Sequence, residues 1–238
     1  MGVVMRTSWR FVSTVAVVML ATSVVGIQAQ DSARAVTGGG IFAPGWVGKI
    51  DANEEKAGQV LNNSRLALAG DVLQVTTGPA VTYWNPANRA TGNYTVKATF
   101  TEPKYMNVND HPHPYGIVIG GNDLGTAEQS YLYCAAYGDG TFIVRGFGPA
   151  AFQMGGRRPE ANAAVRKAAG PGQPVTQEIA VSVTADRVEC AINGTVVAGY
   201  EKSAVVAPGK LKSTDGIYGI RFAHNTDGTV SGLTMTKR

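Results

Sequence analysis

The chain has 238 residues, and 21 lysines and arginines against 17 acids give it a formal charge of +4. The excess is not gathered into a basic run, so nucleic acid is not an expected partner. Two of the arginines fall in a leader, and what remains is comfortable for one all-β domain and cramped for two.

The leader is read as residues 1–29. Arg6 and Arg10 supply its positive region, residues 11–26 are an apolar run too short to span a bilayer comfortably, and Ile27-Gln28-Ala29 suits a signal peptidase. Cleavage after Ala29 sends the protein to the periplasm or outside the cell, with no membrane attachment left. Residues 30–40 are polar, small and glycine-rich and read as a flexible mature N-terminus. The single domain is then 41–238.

Residues 41–50 carry Trp46 as an anchor, and residues 51–56 suit one helical turn with Asp51 as N-cap and Glu54 three positions on. Short strands follow at 66–68 and 72–75 around Gly70-Asp71, and another at 80–84, closed by Asn85-Pro86. In GNYTVKATFT (92–101), Tyr94, Val96, Ala98 and Phe100 alternate with polar residues, the mark of a half-buried antiparallel strand. A polar loop ending in Asp110-His111-Pro112-His113-Pro114 leads to the apolar strand YGIVIG (115–120).

The stretch QSYLYCAAYGDGTFIVRGF (129–147) reads as a β-hairpin closed by Gly138-Asp139-Gly140. Pairing Tyr137 with Thr141 puts Ala135 opposite Ile143, Tyr133 opposite Arg145 and Tyr131 opposite Phe147 on one face. Leu132, Cys134, Ala136, Phe142 and Val144 make the other face, uniformly apolar and suited to a core. Residues 148–174 read as a surface excursion with a short helix over 161–169. Strands return at 178–184 and 187–192, and Asn193-Gly194 turns the chain into 195–200, a register that sets Cys190 opposite Val197. The last strands are 217–223 and 228–236. Cys134 and Cys190 either bridge two strands in an oxidising compartment or sit as two buried thiols.

Many short strands, frequent turn dipeptides and almost no helix predict an all-β, two-sheet antiparallel sandwich. The order GNYTVKATF, YGIVIGG, SYLYCAAYGDGTFIVRG, EIAVSVTADRVECAINGTVVAGY and GIYGIRF resembles the concanavalin A-like lectin and glucanase jelly roll, most nearly the laminin-G-like and 3-keto-disaccharide-hydrolase-type domains of secreted bacterial proteins. The resemblance implies a concave face that binds saccharides. The Glu-x-Asp-x-Glu pattern of the glucanase branch is missing, and no catalytic residue is carried over.

The residues most suited to a ligand are Tyr131, Tyr133, Tyr137, Arg145 and Phe147, because sugar rings pack their C–H faces on aromatics while hydroxyls bond to tyrosine and arginine. Ordinary cross-strand pairing accounts for the same stripe. Glu128, Asp123, Asp139 and Glu189 are not spaced as a glycosidase pair. Asp110, His111 and His113 form a weak metal candidate, with no third ligand evident, and a polar loop accounts for the same residues. Asn122-Asp123 and Asn225-Thr226-Asp227 faintly resemble calcium loops, and turns use the same residues. The reading is a secreted, non-catalytic glycan-binding module. A glycoside-cleaving enzyme of the 3-keto-disaccharide type and an envelope scaffold are the alternatives.

Overall fold

The computed structural model describes residues 1–3 and 32–238. Two compact units divide the chain, Met1–Asp31 and Ser32–Arg238, and every described strand belongs to the second. Apart from its first three residues, the candidate leader lies outside the described residues, and so does its cleavage point. Among the described residues no helix is long and apolar enough to cross a membrane.

Sixteen described strands and two α-helical turns follow one another in this order, with one 3-10 turn (Leu61–Asn63) before the third strand. First come β1 (Gly40–Phe42), β2 (Val47–Ile50), the turn α1 (Ala52–Lys56), β3 (Arg65–Ala69), β4 (Val72–Thr76), β5 (Val81–Ala90) and β6 (Tyr94–Glu102). Then come β7 (Tyr115–Asn122), β8 (Ser130–Ala136), β9 (Thr141–Phe147), β10 (Ala151–Gln153) and β11 (Glu160–Ala161). The chain closes with β12 (Val175–Val183), β13 (Arg187–Ile192), β14 (Thr195–Glu201), the turn α2 (Lys202–Val205), β15 (Gly216–Phe222) and β16 (Asp227–Lys237).

One sheet has the order β1-β3-β4-β16-β6-β12-β13-β14, and the other β10-β9-β8-β7-β15-β5-β2 with β11 also on β9. All pairs are antiparallel except β1 with β3 at an edge. Period-two alternation explains which faces meet. Tyr94, Val96, Ala98 and Phe100 of β6 are buried, as are Ile179, Val181 and Val183 of β12, and they pack on Ile117, Ile119, Leu132, Phe142, Val144 and Ile220 of the facing sheet. Phe100 bridges the layers, its ring 5.9 Å from Tyr115 and 6.0 Å from Phe222. So does a disulfide between Cys134 on β8 and Cys190 on β13, with α-carbons 5.9 Å apart. It closes a loop of 56 residues, for which chain entropy predicts about 4 kcal/mol of stabilisation.

The structure departs from the sequence reading in five places, each for a local reason. Asp51 precedes α1 without a side-chain cap, because its carboxylate is engaged by Arg221. β5 runs on through Pro86, which lies where the ladder with β15 slips between Trp84 opposite Gly219 and Arg89 opposite Ile217, so its missing N–H costs no pair. Residues 161–169 form no helix. Asn162, Gln177 and Asn193 take up the backbone there, with Gln177 accepting from Arg166 N at 3.1 Å and donating to Arg166 O at 2.7 Å, and Asn193 donating to Ala164 O at 2.8 Å. A bulge after Cys190 moves its partner from Val197 to Ala198. The stretch expected to be flexible is tied down at Arg34, whose N–H donates to Asn225 Oδ1 at 2.7 Å and whose guanidinium pairs with Asp227 and donates to Thr77 O.

Candidate functional site

The β8–β9 hairpin has the register its sequence predicts: Tyr131 pairs with Phe147, Tyr133 with Arg145 and Ala135 with Ile143. Asp139 makes the turn, its Oδ1 accepting from Thr141 N at 3.0 Å and from Thr141 Oγ1 at 2.6 Å, while Gly140 takes a φ of 90° that a side chain would resist. Tyr131, Tyr133 and Tyr137 are buried on the outer face of the sheet, with Arg145 and Phe147 half-buried beside them. Together with Val118, Ala135 and Ile143 they form a second apolar cluster, on which Leu124 packs from the loop before β8.

Polar groups are threaded through this cluster. Arg221 of β15 points outward because Ile220 and Phe222 point inward, and its guanidinium lies 5.0 Å from the Tyr133 ring centroid and 5.4 Å from that of Phe147. It donates to both Asp51 oxygens, at 2.8 and 2.5 Å, and through Nη1 to Thr82 Oγ1 at 3.0 Å and Tyr131 OH at 3.2 Å. Burial is the largest single influence and works against its charge, but Asp51 together with Tyr131 and Tyr133 outweighs it and raises the Arg221 pKa well above the ordinary value. Burial also raises the Tyr137 hydroxyl to about 12. Arg145 donates through Nη2 to Arg157 O at 3.0 Å, and its buried Nε has no hydrogen-bond partner. Arg221, Asp51 and Thr82 were missed by the sequence reading. The alternation of GIYGIRF gives Arg221 its face, but only the sheet order places β15 within reach of the tyrosines.

The carboxylates do not form a pair. Asp123 Oδ2 accepts from Lys212 at 2.7 Å, Glu128 is exposed, Asp139 serves its turn, and Glu189 lies 3.6 Å from Arg187. Several oxygens of the faint calcium loops are likewise engaged: Asp123 Oδ2 by Lys212, Asn225 Oδ1 by the Arg34 N–H and Asp227 by the Arg34 guanidinium. The most altered carboxyl is Glu102 at the end of β6, which burial raises to about 7. It lines a small polar cavity with Asn109, His111, His113, Asn225 and Asp227.

Three histidines meet at that cavity's edge. The ladder between β15 and β7 pairs Phe222 with Tyr115, and Ala223 N donates to Pro114 O at 2.9 Å, so continuing the register sets His224 against His113. His111 follows two residues from His113 in an extended segment and joins the same side. Ring centroids are 4.4 Å apart for His111 and His113, and 4.2 Å for His113 and His224. One ligand nitrogen from each of the three lies within 4.8 Å of the others. Asp110 stands outside the group, exposed, with Oδ1 3.0 Å from His111 Nδ1, a bond that lowers its pKa. Burial and the two neighbouring imidazoles depress His113 to about 3, so its ring is neutral at ordinary pH. The third ligand, which the sequence left unfound, is therefore His224.

No known protein family matches the chain by sequence, and no curated protein does. Solved structures match its shape. A carbohydrate-binding module from Bacillus subtilis superposes with a TM-score of 0.53 at 7% identity, covering 83% of this chain and 99% of that one. An endo-β-1,3-glucanase from Pyrococcus furiosus gives 0.51 at 12%, covering 81% and 88%. The chain has the concanavalin A-like jelly-roll fold. A Bacillus subtilis protein with a galectin-like fold, at 0.54 and 10% identity over 81% and 89%, shares it too. At such identities the concanavalin A-like likeness is one of architecture, and the chemistry rests on this chain's own residues.

Proposed function

We propose that the protein is an exported, non-catalytic glycan-binding module that takes its ligand on the outer face of β8 and β9. The observation that carries this is the pairing of half-buried Arg145 with Tyr133 and of half-buried Phe147 with Tyr131, which sets a guanidinium beside an aromatic surface on one outer face. A saccharide suits such a place, with a C–H face for the rings and a hydroxyl or carboxylate for the guanidinium. A carbohydrate-binding module of the same fold supports the reading. Glu102 does not favour hydrolysis, because the cavity it lines has room for about one water molecule and none for a sugar ring.

The test is retention on a polysaccharide array, with and without calcium. Arg145→Ala and Phe147→Ala remove the half-buried members and are expected to weaken retention tenfold or more, with circular dichroism unchanged. Retention equal to the parent in both variants would overturn the site. A parent retained by no glycan would overturn the function.

A further inference from the structure

We propose that His111, His113 and His224 form a binding site for a divalent transition-metal cation of the zinc type, with three imidazole ligands and a fourth position left for water. It is independent of the glycan reading. The chain has three histidines in all, and the fold gathers every one at a single point from two separate segments. Ordinary packing gives no reason for that. In a tetrahedral zinc site ligand nitrogens lie about 3.3 Å apart. Here they are within 4.8 Å, so a shift of about 1.5 Å, smallest to make at the exposed His111, completes the geometry.

The surroundings are those of a metal site one layer out. His111 Nδ1 faces Asp110 Oδ1 at 3.0 Å, His224 Nδ1 faces Glu54 Oε1 at 3.8 Å, and His113 Nδ1 faces the Asn109 amide at 2.7 Å. Each ring is thus approached at Nδ1 by a side chain, which directs Nε2 to the ion, the arrangement by which carboxylates and amides orient ligating histidines. His113 Nε2 is buried and has no hydrogen-bond partner, a vacancy that a cation fills. Binding there puts the ring proton on Nδ1, and the Asn109 amide makes a half-turn to receive it with its oxygen, giving up the donation of its Nδ2 to Asn225 O at 3.1 Å. Two of the three approaching groups are carboxylates, and they offset the cation's charge. Nitrogen donors of this kind suit zinc, copper or nickel and not calcium, which takes oxygen.

Untagged protein titrated with zinc against a chromophoric chelator should take up one ion per chain. Cobalt in place of zinc should give the intense visible absorption of a four-coordinate site. His224→Ala should abolish stoichiometric uptake, and Asp110→Ala, a fully solvated change that leaves the fold alone, should weaken it tenfold or more. If His113→Ala or His224→Ala fails to fold, His111→Ala on the exposed loop makes the same test. Uptake that is absent, that survives loss of two of the histidines, or that calcium displaces would overturn the proposal.

Discussion

The outer face of the β8–β9 hairpin and the histidine corner are both places where polar groups are set among buried ones, yet they are built differently. The hairpin draws Tyr131, Tyr133, Tyr137, Arg145 and Phe147 from one short stretch, and its register follows from a three-residue turn. The corner joins His111 and His113 to His224, from segments that meet only because β7 and β15 are neighbours. The hairpin needs a long-range partner as well, and finds it in Arg221. That arginine and Asp51 are buried together, whereas of the two carboxylates beside the corner's histidines Asp110 is exposed and Glu54 buried. The Arg221–Asp51 pair should therefore respond to substitution mainly through stability, and the half-buried Arg145 and Phe147 and the exposed Asp110 mainly through affinity.

The largest effect expected is at Arg221. Replacing it by Met leaves Asp51 buried without its cation, and breaking a buried pair from one side costs about 3–5 kcal/mol. Urea denaturation should show that loss, and the double variant Arg221→Met with Asp51→Leu should recover most of it, since removing both charges restores an apolar site of similar size. A single variant as stable as the parent would mean that the pair does not hold the face together.

Glu102 gives a smaller effect, and its sign is opposite to that of most carboxylates. Its folded pKa is about 7, raised by burial from the ordinary 4.5. The folded protein therefore holds this proton more tightly than the unfolded chain does. Its stability is full below pH 4.5 and falls as pH rises towards 7, by up to about 3 kcal/mol, then levels off. Glu102→Gln, which keeps the shape and cannot ionise, should abolish that fall in urea denaturation measured between pH 4 and 8. If the parent and the variant keep parallel profiles, Glu102 is ionised in the fold and the cavity beside the histidines is wetter than its lining implies.

How far each region was legible in the sequence follows from the distance its contacts span. The alternation in β6 and the turn at Asp139 act within a few residues, so the strands, the hairpin register and the two-sheet class could all be read. Asp51 was misread because a helix N-cap and a salt-bridge partner call for the same side chain, and only the fold brings Arg221 to it. Pro86 was read as a stop because nothing local reveals that the ladder slips there. The disulfide stayed open since two core-facing cysteines on different hairpins meet only if their strands face each other. His224 was invisible beside His111 and His113 for the same reason: once Phe222 is known to pair with Tyr115, counting two residues along each strand finds it.

The smallest effect sharpens the contrast by its absence. Glu128 is exposed in the loop between β7 and β8, and Asp123 in the same loop pairs with Lys212, with side chains 54% and 44% exposed. An exposed ion pair of this kind contributes about 0–1 kcal/mol, and an exposed loop carboxylate less than about 0.5 kcal/mol. Asp123→Asn and Glu128→Gln should thus leave the unfolding midpoint, glycan retention and zinc uptake all close to the parent's. These two were the carboxylates nearest the hairpin in sequence apart from Asp139 in its turn, and a glycosidase would need such a pair. A loss of retention on removing either would move the ligand site from the aromatic face to this loop, while turnover of a glycoside that vanished with them would replace the binding reading with a catalytic one.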